Sequence, residues 1–215
     1  METASSPAMS GRLQARPNGV PAGVRPNAPW LYVPRKVKSP APLLIALHGA
    51  GGRGVRTMEF MRSSADSIGA IVVAPDSSGR TWDVIIDDLG PDVEGIDAQL
   101  AQVFASFAID PDRIGVSGFS DGASYALTLG VANGDLFSHV IAFSPGFLAA
   151  AAQTGTPRIF ISHGTRDEIL PIDRCSRRLA PGLKRAGYDV EYVEFDGGHT
   201  VPEDVTRAAM EWFTE

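Results

Sequence analysis

Two apolar patterns alternate along the chain. Short continuous runs lie at 43–47, 70–74, 113–117, 140–143, 158–162 and 190–195. Runs of this length, rich in Val, Ile, Leu and Phe, read as strands buried on both faces. The segments between them have helical spacing. Val93, Ile96, Leu100, Val103, Phe104 and Phe107 recur on one face of a helix expected over 92–107. Further helices are expected near 55–67, over 122–131, near 173–186 and over 203–213. Trp30 to Val33 reads as an additional strand, ended by Pro34. Strands alternating with helices, with no repeat and no internal linker, predict a single α/β domain around a mostly parallel sheet.

The first 29 residues break this pattern, being rich in Pro, Gly, Ser, Ala and Asn. Residues 1–11 are expected to be a disordered tail, and the domain is expected to cover 12–215. Pro17, Pro21, Pro26 and Pro29 limit any strand before Trp30 to a short edge strand.

Composition narrows the partners. The chain has 215 residues, 44% hydrophobic and 20% charged, with a formal net charge of -6. An acidic protein has no general attraction for nucleic acid or an anionic membrane, so neither is expected as a partner. The single cysteine, Cys175, cannot form an internal disulfide. The N-terminal segment has no apolar signal core, and no apolar run reaches the roughly 18 residues of a membrane span. A cytoplasmic protein without stable membrane association is expected, as a monomer or homodimer.

In parallel α/β sheets, chemistry sits where the strands end. Gly118-Phe119-Ser120-Asp121-Gly122 follows the 113–117 run and opens a helix of small residues. The G-x-S-x-G pattern alone is weak, but its place between strand and helix gives it meaning. A serine on a sharp strand-to-helix turn projects its hydroxyl from the sheet, and the flanking glycines remove Cβ atoms that would clash there. Ser120 is therefore the candidate nucleophile.

A serine hydroxyl needs a base to take its proton. His199 follows the last strand in Asp196-Gly197-Gly198-His199 and is the candidate. His48, His139 and His163 are assigned structural or surface roles. The base in turn needs a carboxylate that fixes its tautomer and stabilises the imidazolium. Asp167 lies in a loop after the 158–162 strand, between serine and histidine in sequence, with the adjacent Glu168 as runner-up. Ser–Asp–His is the chain order of α/β-hydrolases.

Acyl transfer also needs two N–H donors for the tetrahedral oxygen. The amide of Asp121 is one candidate. Ala50, in the loop His48-Gly49-Ala50-Gly51-Gly52, is the other, with Gly51 next. The Asp121 carboxylate would oppose a developing oxyanion, so it is expected to point away and find a partner. Trp82, Phe119, Leu170 and Gly51 are candidates for the substrate pocket, followed by Phe143 and Phe147. Trp82 could equally be core.

Together these segments resemble the phospholipase/carboxylesterase family of α/β-hydrolases. That family includes acyl-protein thioesterases and bacterial esterases, and it borders the feruloyl-esterase and polyhydroxybutyrate-depolymerase-like esterases. Leu47-His48-Gly49 is similar to its oxyanion loop and Gly118-Phe119-Ser120-x-Gly122 to its nucleophile turn. His163-Gly164-Thr165-x-Asp167 with Leu170-Pro171 is similar to its acid loop, Gly198-His199 to its histidine loop, and Trp82-Asp83 to its substrate-side Trp segment. Asp121 stands where the thioesterases often carry Gln. The resemblance implies an α/β-hydrolase fold with little or no cap, and a serine esterase acting on short- to medium-chain carboxylic esters. Alternatives are a thioesterase, a polyester or feruloyl-type esterase, and a non-catalytic binding module. A small-molecule ester is the implied partner, with no cofactor and no metal.

Overall fold

A computed structural model gives the structure of residues 30–86, 90–149 and 153–215. The expected tail over 1–11 and the edge segments over 12–29 lie outside the described residues. Seven strands form one sheet: β1 (Leu31–Tyr32), β2 (Ala41–Leu47), β3 (Ile71–Val73), β4 (Ile109–Phe119), β5 (His139–Phe143), β6 (Arg158–Gly164) and β7 (Val190–Phe195). Their order is β1-β3-β2-β4-β5-β6-β7. All neighbours are parallel except β1, which pairs antiparallel with β3 at the edge.

Six helices are described: α1 (Gly54–Ile68), α2 (Asp83–Ile86), α3 (Pro91–Ser106), α4 (Asp121–Ala132), α5 (Ser176–Arg185) and α6 (Glu203–Phe213). The alternation along β2 explains why both faces are covered. Leu43, Ile45 and Leu47 join a core with Val93, Leu100, Ala126 and Leu183 from α3, α4 and α5. Leu44 and Ala46 face the other way, into a core with Met58 and Met61 of α1 and Ala209 and Phe213 of α6. Burying both faces at the central strands removes the polar alternation of a half-exposed strand. Among the described residues no helix is long and apolar enough to cross a membrane.

Three differences from the sequence reading exceed two residues at an element's end. β4 starts at Ile109, before Pro111, because the pairing with β2 shifts: Ala41 pairs with Ile109, but Leu43 with Ile114. The extra residues bulge out and tolerate the proline at the edge of the ladder. α5 starts at Ser176, since residues 173–175 are taken up in turns in which the Arg174 and Cys175 amides donate to Pro171 and Ile172 carbonyls. The short α2 was not expected. It is organised by Asp83, whose carboxylate accepts the Val84, Gly90 and Asp92 amides at 2.8, 2.9 and 2.9 Å.

Candidate active site

The site lies where β2, β4, β6 and β7 end. The turn from β4 into α4 is tight. Ser120 has φ 57° and ψ -119°, a conformation that costs a non-glycine residue about 1–3 kcal/mol. The turn is held by the Ser120 amide, which donates to the Phe143 carbonyl of β5 at 3.0 Å, and by the Ser120 carbonyl, which accepts the Ala123 amide at 3.0 Å. A Cβ on Gly118 would overlap the Gly122 carbonyl, and one on Gly122 would overlap the Leu47 carbonyl of β2. Glycine at both flanks is thus a packing requirement of this turn.

The structure brings Ser120, His199 and Asp167 into one hydrogen-bonded chain. His199 Nε2 lies 2.8 Å from Ser120 Oγ, and His199 Nδ1 lies 2.6 Å from Asp167 Oδ2. A carboxylate accepts only, so Nδ1 carries a proton and Nε2 is left to accept from the serine hydroxyl. The other carboxylate oxygen, Oδ1, accepts the Ile169 and Leu170 amides at 2.9 and 2.8 Å. Asp167 is 5% exposed. Burial pushes its carboxyl up, but the Leu170 amide and the His199 imidazole outweigh that and hold it below the usual carboxylate range. This arrangement can draw a proton from Ser120 and stabilise the imidazolium that results. Glu168, the alternative acid, is exposed.

The remaining histidines support the loops. His163 is fully buried and reaches three groups. Its Nε2 lies 2.8 Å from the Leu170 carbonyl and 3.2 Å from Asp167 Oδ2, and its Nδ1 lies 2.7 Å from Ser176 Oγ. The Leu170 carbonyl requires a proton on Nε2, so the Ser176 hydroxyl donates to Nδ1. Burial lowers the His163 pKa, countered in part by the Leu170 carbonyl and Asp167, and keeps the ring neutral. His163 therefore braces the acid loop. A histidine four positions before the acid in a tight loop was a legible signal for this contact. His48 clamps the loop after β2. Its Nδ1 donates to the Gly49 carbonyl at 2.8 Å, and its Nε2 accepts the Ser77 amide at 3.0 Å.

Gly49 lies against Ser120: a Cβ on it would come 3.4 Å from the Ser120 Cβ. The Gly51 amide donates to the Arg80 carbonyl at 2.7 Å and the Gly52 amide to the Gly49 carbonyl at 2.9 Å, so both are committed. The Ala50 amide has no partner among the described residues. Asp121 opens α4, where first-turn amides lack intrahelical acceptors. Its carboxylate takes the Thr81 hydroxyl at 2.6 Å.

A cavity of about 350 Å³ adjoins the site. Gly49, Phe119 and His199 connect it to the triad-like chain, and Ala46, Leu47, Met61 and Phe143 supply apolar lining. The Phe119 ring lies against the His199 ring, with centroids 4.7 Å apart. Four pocket candidates, Trp82, Gly51, Leu170 and the exposed Phe147, fall outside its lining. Trp82 is fully buried, stacked on Tyr125 and tilted against His48, with its indole N–H donating to the His48 carbonyl at 2.8 Å. An indole N–H inside a core needs such an acceptor, and this one turns the ring beneath the 49–52 loop and away from the cavity. Gly51 and Leu170 are also outside the lining, Gly51 because its loop folds toward Arg80 and Leu170 because it packs beside Gly146. Arg53 at the N-cap of α1, and Arg56, Thr57 and Phe60 within it, line the cavity and were not identified from sequence. They lie at the open start of a helix, where polar and apolar side chains carry no distinguishing pattern.

The comparisons agree with this architecture. The model of the phospholipase/carboxylesterase family matches residues 92–214. An acetylxylan esterase from Coprinopsis cinerea is 30% identical over 255 residues, covering 86% of this chain and 68% of the relative. Among solved structures, esterase PE8 matches with a TM-score of 0.64 at 22% identity, covering 85% of this chain and 97% of that one. The Bacillus cereus carboxylesterase matches with a TM-score of 0.63 at 20% identity, covering 85% and 91%. These structural likenesses are likenesses of fold, whereas the family match and the acetylxylan esterase rest on sequence. The chain belongs to the phospholipase/carboxylesterase family, the esterases of α/β-hydrolase fold.

Proposed function

We propose that the protein is a serine carboxylesterase that hydrolyses short- to medium-chain carboxylic esters through a covalent acyl-enzyme. The observation that carries this reading is the chain from Ser120 Oγ through His199 to Asp167, with contacts of 2.8 and 2.6 Å.

His199 Nε2 takes the Ser120 proton as Oγ bonds to the ester carbonyl carbon. The carbonyl oxygen becomes an oxyanion held by the Ala50 and Asp121 amides. The C–O bond to the alcohol then breaks, and His199 returns the proton to the departing oxygen. Water repeats the sequence on the acyl-enzyme, giving up its proton to His199, and the acid leaves as Ser120 Oγ is reprotonated. Asp167 stays ionised throughout. Thr81 supports the oxyanion site by tying the Asp121 carboxylate aside.

The cavity, at about 350 Å³, is near the lower end for ligand sites and favours small groups. The similarity to an acetylxylan esterase supports short acyl groups as well. Initial rates on p-nitrophenyl acetate, butyrate, octanoate and palmitate test the reading. Wild type is expected to turn over the short esters and to fall off toward palmitate, and Ser120→Ala is expected to lose this turnover. Retention of near-wild-type kcat in folded Ser120→Ala would refute the scheme.

A further inference from the structure

The cavity beside the site carries charge of one sign. Arg53 and Arg56 line it, and no Asp or Glu does, in a chain whose formal net charge is -6. The two arginines differ. Arg53 Nε lies 3.4 Å from Asp76 Oδ2, and the other oxygen of Asp76 accepts the Gly54 amide at 2.6 Å. Arg53 is thus part of the brace at the start of α1. Arg56 makes no ion pair among the described residues. Its side chain is an exposed cation on the wall of a cavity that Ala46, Leu47, Met61 and Phe143 also line.

The cavity also has a defined place relative to the chemistry. His199, Thr200 and Val201 line it, whereas Ser120 and Asp121 do not. In the mechanism above, His199 Nε2 hands its proton to the departing oxygen, so the alcohol half of the ester lies on the histidine side. A group held beside His199 in this cavity is then the alcohol moiety, and the acyl group extends from Ser120 in another direction.

We infer that the cavity binds the alcohol half of the substrate, and that this half has an apolar body and an anionic group, a carboxylate being the simplest, which pairs with Arg56. A guanidinium presents several N–H donors in a plane and matches a carboxylate with two parallel hydrogen bonds. The inference rests on the proposed esterase reading and adds a substrate class to it. An ester of a neutral alcohol fills the same cavity but leaves Arg56 to water.

Matched ester pairs test this. One pair carries the charge on the alcohol: para-acetoxybenzoate and its methyl ester. The other carries it on the acyl group: the p-nitrophenyl monoester of adipate and p-nitrophenyl hexanoate. The readout is the anion-to-neutral ratio of kcat/KM within each pair, for wild type, Arg56→Gln, Arg56→Glu and Arg56→Lys. Comparing ratios between variants cancels the intrinsic reactivity of each ester.

For the alcohol-charged pair, Arg56→Gln is expected to lower the ratio by about three- to fivefold, the scale of a solvent-accessible ion pair. Arg56→Glu lowers it further, Arg56→Lys restores most of it, and added salt shrinks the wild-type preference. A ratio that is the same in wild type, Arg56→Gln and Arg56→Glu would overturn the inference while leaving the esterase reading intact. An Arg56-dependent change confined to the acyl-charged pair would also overturn it, by placing the acyl group in the cavity. Absence of wild-type turnover on all four esters would instead refute the esterase reading, and the inference with it.

Discussion

Asp167→Asn isolates the part of the site that depends on a proton's position. The asparagine is nearly the same size as the aspartate, so packing is preserved, and its orientation is set by its neighbours. The oxygen Oδ1 accepts the Ile169 and Leu170 amides. In the variant the amide oxygen is expected to keep that place, because turning the amide over would set its NH2 against two part-buried N–H donors. An unsatisfied donor costs about 1–3 kcal/mol, so losing both costs about 2 kcal/mol or more, against the regained hydrogen bond to His199 and the weaker 3.2 Å contact to His163, about 1–2 kcal/mol together. The NH2 therefore faces His199 Nδ1, where Oδ2 stood at 2.6 Å. It donates, so Nδ1 must accept, and the ring proton moves to Nε2. In that tautomer Nε2 cannot take the Ser120 proton. The loss in kcat is expected to be about 10³–10⁴-fold, the penalty for the wrong tautomer in this type of triad, or about 4–5.5 kcal/mol of barrier. Stopped assays with p-nitrophenyl acetate at near-neutral pH measure it, with circular dichroism to establish that the variant is folded. A folded variant within about tenfold of wild type, far short of that tautomer penalty, would refute the reasoning.

Other consequences follow from the same contacts. His163→Leu leaves the Ser176 hydroxyl and the Leu170 carbonyl without their buried partner, so it is expected to cost about 2–4 kcal/mol in urea unfolding and to lower kcat through a looser Asp167. An unfolding free energy equal to wild type would remove His163 from the brace. His139, 7% exposed and edge-on to Trp212 and Phe213, has its pKa lowered to about 4, first by burial and then by Arg158 and Arg113. Below about 6.5 the unfolded chain takes up a proton there that the folded protein refuses, so stability falls as pH drops from about 6.5 to about 4, by up to about 2–3 kcal/mol after allowance for screening. Denaturant unfolding at several pH values reads this, and His139→Phe is expected to flatten that slope. Gly95, inside α3 with open space where a Cβ would stand, is expected to gain about 0.5–1 kcal/mol as Gly95→Ala. Gly118→Ala is expected to be disruptive, and equal stability of the two variants would contradict the packing described at the turn.

The parts of the site legible in sequence were those fixed by backbone geometry. Gly118 and Gly122 mark the turn because any Cβ there meets a neighbouring carbonyl. The Asp167 and His199 loops follow β6 and β7, and parallel strands deliver such loops to one sheet edge. The Asp121 carboxylate was expected to turn aside and does, although nothing near it in the chain pointed to Thr81, in the segment between β3 and α2, as its partner. Trp82 could not be placed by pattern, because the choice between cavity and core depended on the His48 carbonyl, which only the folded loop brings to the indole. The roles of Arg53 and Arg56 were hidden for a related reason. Exposed arginines early in a helix look like ordinary solvated positions, and only the closure of the 199–201 segment against α1 makes them cavity walls. The early start of β4 was hidden by Pro111, which argues against a strand until the bulge in its pairing with β2 is seen.

The central claim is that Ser120 Oγ is the nucleophile. Reaction of the folded protein with a fluorophosphonate, followed by proteolysis and mass spectrometry, tests it most directly. A single stoichiometric adduct on Ser120, absent after denaturation before labelling and absent in Ser120→Ala, is the result the account predicts. A folded protein that takes no label, or takes it on another residue with Ser120 unmodified, would contradict it.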